Sequence, residues 1–142
     1  TLATHQIVGM GSAFALAGQP GDSEHQRIEH LSRRLRDGLL ALPAVSLNGC
    51  DTQRIAHTLN LCIDSQGFNS AALASELALS TTSACNSASN APSHVLLALG
   101  LDESRARNSV RLSIGRFSTE AEVDKALEVF ARVTAAASLA LW

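Results

Sequence analysis

The chain has 142 residues, 46% hydrophobic and 17% charged, with a formal net charge of −2. This supports one domain with a sizeable core and excludes a disordered segment or a general nucleic-acid binder, which would need a basic face. No stretch approaches the roughly 20 unbroken apolar residues of a membrane helix.

Residues His5 to Ala17 read as a first helix, with Ile7, Met10 and Phe14 at helical spacing. The small Gly9, Gly11 and Ala13 suit close approach to another element. Gly18-Gln19-Pro20-Gly21 ends it. Asp22 or Ser23 caps a second helix that buries Ile28, Leu31, Leu35 and Leu39 and stops before Pro43. Its other face carries Arg27, Arg33, Arg34 and Arg36, either a docking patch or a solvated face with Glu29 and Asp37 interspersed.

Val45 to Asn48 reads as a short edge strand closed by an Asn48-Gly49 turn, and His57 to Ile63 as a better one with Leu59, Leu61 and Ile63 on one face. Asn69 or Ser70 caps a third helix through Leu77. A short strand then leads into a polar loop over 80–92, which Pro92 and Ser93 leave as a helix from His94 to Leu99. Gly100 suits the left-handed position after that helix. Asp102 begins a turn of helix through Arg107. Val110 to Ile114 is a strand with Val110, Leu112 and Ile114 facing one way and Arg111 and Ser113 the other. Thr119 and Glu122 form a capping box for a last helix carrying Val123, Leu127 and Phe130. The order predicts an α/β (α+β-like) layer, helices covering a small mixed sheet.

Three cysteines without Cys-x-x-Cys spacing make a poor disulfide framework, and a reducing cytoplasm is their natural compartment. Cys62 lies within a strand and reads as buried and inert, and Cys50 as incidental in a turn. Cys85 sits in the middle of the Ser- and Asn-rich loop, where it is either a reactive thiol or a small hydrophobe. An Arg on a strand, as at 111, needs an anion: a bound carboxylate or an internal Asp or Glu. His5, His57 and His94 have no spacing that marks a triad or metal set, so no metal is expected. The one lysine, Lys125, falls on the polar side of the last helix. No leader segment opens the chain, and Thr1 falls in what reads as mid-element, as in a piece of something longer.

Ser83-Ala84-Cys85-Asn86-Ser87-Ala88-Ser89, then Pro92-Ser93-His94-Val95-Leu96 and Val110-Arg111-Leu112-Ser113-Ile114-Gly115-Arg116-Phe117-Ser118-Thr119-Glu120, resemble the cysteine desulfurases of the class V aminotransferase group. Thr1-Leu2-Ala3-Thr4-His5-Gln6-Ile7-Val8-Gly9-Met10-Gly11 extends the likeness to the start. The long cysteine loop is similar to the nitrogenase and iron–sulfur-cluster branch. The resemblance implies the small C-terminal domain of a fold-type I pyridoxal-phosphate enzyme, with 1–18 a linking helix from a large domain and 19–142 the small domain. It implies that Cys85 takes sulfur from L-cysteine as a persulfide, leaving L-alanine, and that Arg111 holds the substrate carboxylate. It implies further that Thr1 reaches the cofactor phosphate of the partner subunit in a homodimer. A sulfur-acceptor or cluster-scaffold protein and the large pyridoxal-phosphate domain are the implied partners. The family's Schiff-base lysine has no match here, so no covalently bound cofactor is expected on this chain. Thr82, Asn86 and Ala56-His57 depart from the family's usual Gly, Thr and Pro-Asn. The alternative is a standalone, non-enzymatic module that carries a persulfide on Cys85 or binds a partner.

Overall fold

The computed structural model describes residues 2–18, 22–65, 67–81 and 91–139. In chain order the elements are α1 (Thr4–Ala17), α2 (Asp22–Leu40), β1 (Val45–Leu47), β2 (Thr58–Ile63), α3 (Ser70–Ala74), α4 (His94–Ala98), α5 (Glu103–Arg107), β3 (Ser109–Ser113) and α6 (Glu120–Leu139). β1 pairs with β2 and β2 with β3, both antiparallel, so the described sheet is antiparallel where the element order had suggested a mixed one. The strand expected before the cysteine loop shrinks to one bridge between Ser80 and Arg111 at the β3 edge.

Strand alternation sorts the side chains onto two unlike faces. Val45, Leu59, Leu61, Ile63, Val110, Leu112 and Ile114 face inward and are buried. Against them pack Leu31, Leu35 and Leu39 of α2 and Val123, Ala126, Val129 and Phe130 of α6, one apolar stripe from each helix. α2 and α6 come close where Gly38 leaves room for Leu127, whose Cδ2 would stand 2.6 Å from any Cβ added at position 38. The capping box forms as expected: the Glu122 carboxylate accepts from the Thr119 backbone N–H at 2.8 Å, and the Glu122 N–H donates to the Thr119 hydroxyl at 3.3 Å.

The basic face of α2 is tied to its own chain. Arg34 pairs with Asp124 of α6 at 2.6 Å, Arg36 with Asp37 and Asp51, and Arg27 donates to the backbone carbonyls of Arg116 and Ser118. A docking role for that cluster finds no support here. α1 differs from every other long helix: none of its residues is buried, and nothing approaches a Cβ added at Gly9 or Gly11. α3 ends at Ala74, short of Leu77, because the Ser75 hydroxyl donates back to the Ala72 carbonyl at 2.9 Å and competes with further helix. Gly100 takes φ 91°, the left-handed conformation that only glycine adopts without strain. No helix among the described residues is long and apolar enough to cross a membrane.

Candidate functional site

The outward face of the sheet is polar. In register across β2 and β3 stand Thr58 beside Ser113, Asn60 beside Arg111 and Cys62 beside Ser109. Residues paired this way in an antiparallel sheet share a face, with Cβ atoms about 5 Å apart. α5 covers one end of this face. The Arg105 carbonyl accepts from the Cys62 thiol at 3.6 Å and from the Ser109 hydroxyl at 2.8 Å, which buries both. Cys62 is therefore inert, as its place in a strand suggested. The other end, with Asn60 and Arg111, stays open.

Arg111 is held by its backbone. Its N–H donates to the Ser80 carbonyl at 2.7 Å, and its own carbonyl accepts from the Ser80 N–H at 3.0 Å. Its side chain is exposed, and no acid among the described residues pairs with it. The internal salt bridge that composition had allowed is absent there, and Arg111 lines a cleft of about 240 Å³. Asn60, Ser80, Thr81, Ser93 and Leu96 also line this cleft, and none of the described lining residues is an acid. A guanidinium offers five donors in a planar fork, which suits a planar anion.

Cys85 and Thr1 lie outside the described residues. The segment that carries Cys85 nevertheless leaves from Thr81 and returns at Ser93, and both line the Arg111 cleft. The accessible cysteine among the described residues is Cys50. A hydrogen bond with the Thr52 hydroxyl, then the Gln53 backbone N–H, holds its thiol below the ordinary pKa. Cys50 does not line the Arg111 cleft.

His5, His57 and His94 are each exposed, and no group of metal-binding side chains forms among the described residues. Lys125 stands on the exposed side of α6 with Nζ 3.7 Å from the Glu128 carboxylate. It lines a separate, larger cleft of about 340 Å³ with Leu35, Leu112 and Ala126. That placement does not fit a covalently held pyridoxal phosphate next to Arg111.

Sequence reading missed Asn48, Asn60 and Ser80. With Arg111 they form one polar row across the strands: the Asn48 N–H donates to the Asn60 carbonyl at 2.9 Å, Asn60 faces Arg111, and Arg111 bridges Ser80. The polar alternation of Thr58, Asn60 and Cys62 was visible, but the pairing that sets Asn60 beside Arg111 was not.

Cysteine desulfurase IscS of Shewanella loihica is 47% identical over 133 residues, covering 93% of this chain and 33% of that protein. Cysteine desulfurase IscS of Vibrio campbellii is 48% identical over 129 residues, covering 90% of this chain and 32% of that protein. The chain thus spans about a third of the length of the curated relatives it matches. Among solved structures, a NifS-like protein superposes with TM-score 0.74 at 23% identity over 95% of this chain and 34% of its own. That likeness is one of fold. A structure described as SspA in complex with cysteine superposes with TM-score 0.56 at 30% identity, over 84% of this chain and 32% of its own. The Aminotransferase class-V family model matches residues 1–126, through the Arg111 strand and into α6, and the chain belongs to that family.

Proposed function

We propose that this chain is the C-terminal part of a pyridoxal-phosphate-dependent cysteine desulfurase, which takes sulfur from L-cysteine and leaves L-alanine. The observation that carries the reading is Arg111: an exposed guanidinium without an acid partner among the described residues, in a cleft whose rim includes both flanks of the cysteine segment. Arg111 binds and orients the substrate carboxylate. Cys85 receives the sulfur as a persulfide. It lies four residues after Thr81 in sequence, and a chain of four residues spans at most about 14 Å, so the thiol is tethered within reach of whatever Arg111 holds. The relatives named cysteine desulfurase and the structural neighbour solved with cysteine support the same substrate.

Pyridoxal phosphate, when bound, supplies the electron sink that labilises the substrate's carbon–sulfur bond. The preceding large domain holds it in this reading. Residues 1–18 are the linking helix from that domain, 19–142 are the small domain, and Thr1 contacts the cofactor phosphate of the partner subunit in a homodimer. A cytoplasmic sulfur acceptor or cluster scaffold then removes the sulfur.

The test is made on the complete gene product that carries this region, incubated with L-cysteine and read by alanine formation and by mass spectrometry of alkylated cysteines. The expected persulfide is on Cys85 and is absent in Cys85→Ser, and Arg111→Ala raises the L-cysteine concentration needed for half-maximal rate. Persulfide on Cys50, or alanine formation unchanged in both variants, overturns the reading. The 142-residue chain mixed with pyridoxal phosphate gives no stable Schiff-base absorbance; a band that requires Lys125 also overturns it.

A further inference from the structure

We infer that Asn60 is a second binding residue for the carboxylate that Arg111 holds, and that Asn48 is the residue that aims it. The inference rests on the reading of Arg111 given above. Three observations carry it.

The first is register. Asn60 and Arg111 are direct cross-strand partners on the outer face of the sheet, and both line the same cleft. The two side chains thus rise from neighbouring positions on one face, with paired Cβ atoms about 5 Å apart.

The second is the direction of a hydrogen-bond chain. The Ser109 hydroxyl donates to the Arg105 carbonyl at 2.8 Å and accepts from Asn48 Nδ2 at 2.9 Å. Asn48 Nδ2 donates its other hydrogen to Asn60 Oδ1 at 2.7 Å. A backbone carbonyl can only accept, so each hydrogen in the chain is committed. Asn48 and Ser109 are 8% and 1% exposed, which holds the chain in place. Turning the Asn60 amide over would set one NH₂ group against another. Asn60 therefore presents its oxygen to Asn48, and its Nδ2 is left as a donor.

The third is what the cleft lacks. Its lining has donors at Arg111 and Asn60 and hydroxyls at Ser80, Thr81 and Ser93, and no carboxylate among the described residues. A carboxylate has about four lone-pair sites. A bidentate guanidinium takes two, and an oriented amide beside it supplies a third donor in a direction the fork does not cover. The ligand class is the carboxylate of a small amino acid, and the cross-strand amide adds both affinity and orientation.

The test is an acetate titration of the ¹⁵N-labelled chain at constant ionic strength, following the Asn60 Nδ2 protons and the Arg111 Nε proton by NMR. Both signals are expected to shift with one dissociation constant. Arg111→Ala abolishes the saturable response. Asn60→Ala keeps a response at Arg111 but weakens it about tenfold, the size of one hydrogen bond to a charged group. Asn48→Ala, which keeps the Asn60 amide but frees its orientation, weakens it less. Binding unchanged in Asn60→Ala, or Asn60 protons that stay still while Arg111 responds, overturns the inference and leaves the Arg111 reading standing. Arg111→Ala that binds acetate like the parent chain, or no saturable shift at either signal, overturns both. The wild-type shift of the Asn60 protons decides the matter even where a variant fails to fold.

Discussion

Adding one methyl group at Gly38 sets two effects of known size against each other. Replacing glycine by alanine within a helix stabilises by up to about 1 kcal/mol, and less in a last turn, where Gly38 lies in α2. The new Cβ would meet Leu127 Cδ2 at 2.6 Å, Cδ1 at 2.9 Å and Cγ at 3.3 Å. Carbon atoms prefer about 3.5–4.0 Å. Both methyls and the carbon that bears them are too close, so rotation about χ2 alone does not relieve the contact. Leu127 must change χ1 or α2 must move off α6, and overpacking of this kind costs about 1–3 kcal/mol. The clash wins: Gly38→Ala destabilises by about 1 kcal/mol. In a Leu127→Ala background the obstacle is gone and only propensity remains, so Gly38→Ala then stabilises by about 0.5 kcal/mol. The change of sign is the signature, with a coupling of about 1.5 kcal/mol. Urea denaturation of the four proteins, followed by circular dichroism, measures it. Additive effects, or a Gly38→Ala protein more stable than the parent, would show that the two helices do not meet at this point.

Glu122→Ala removes the carboxylate that accepts from the Thr119 backbone N–H and destabilises by about 1 kcal/mol in the same urea assay. Arg111→Ala leaves stability within about 0.5 kcal/mol, because an exposed side chain without an acid partner among the described residues holds nothing in place; a larger loss would mark a structural role. Cys50 reacts with iodoacetamide faster than buried Cys62. Hydrogen bonds from Thr52 and Gln53 favour its thiolate, so the folded chain loses that proton at lower pH than the unfolded one. Its labelling-versus-pH curve is therefore shifted to the acid side of the curve in urea, and coincident curves would refute the assigned cause.

What the sequence revealed follows from what periodicity encodes. Leu31, Leu35 and Leu39 on α2, and Val123 and Phe130 on α6, were legible as core because one helix stripe must bury itself. Arg111 was legible as a strand residue facing away from Val110 and Leu112. α1 shows the limit: Ile7, Met10 and Phe14 recur at helical spacing, yet they are 48%, 58% and 72% exposed. Spacing shows that a face is apolar, not what covers it. Asn60 shows another limit. Its partner is 51 residues away in sequence, and a slip of one residue between β2 and β3 would turn it to the opposite face from Arg111. Nothing local fixes that register. The two faces of the finished sheet exclude the one-residue slip, since it would send Leu59 and Leu61 to the face opposite Val110 and Leu112.

The openness of the outer face lets Arg111 stand without an acid partner among the described residues and also limits what it does alone. An exposed guanidinium stays hydrated, so leaving it unpaired costs the fold little. The same water weakens its grip on a ligand. Two unit charges 4 Å apart attract by about 1 kcal/mol in bulk water and by about 4 kcal/mol at the effective dielectric of a protein surface. Covering the cleft is thus worth about 3 kcal/mol to a bound carboxylate, roughly two powers of ten in affinity. At the cleft the apolar Val95 of α4 stands 53% exposed, as a second body would require. On the proposed reading, a large domain that covers Arg111 and Asn60 would make this gain. The isolated chain keeps the donor geometry but binds acetate weakly, and an affinity for acetate as tight as a whole enzyme has for its substrate would mean that no covering domain is needed.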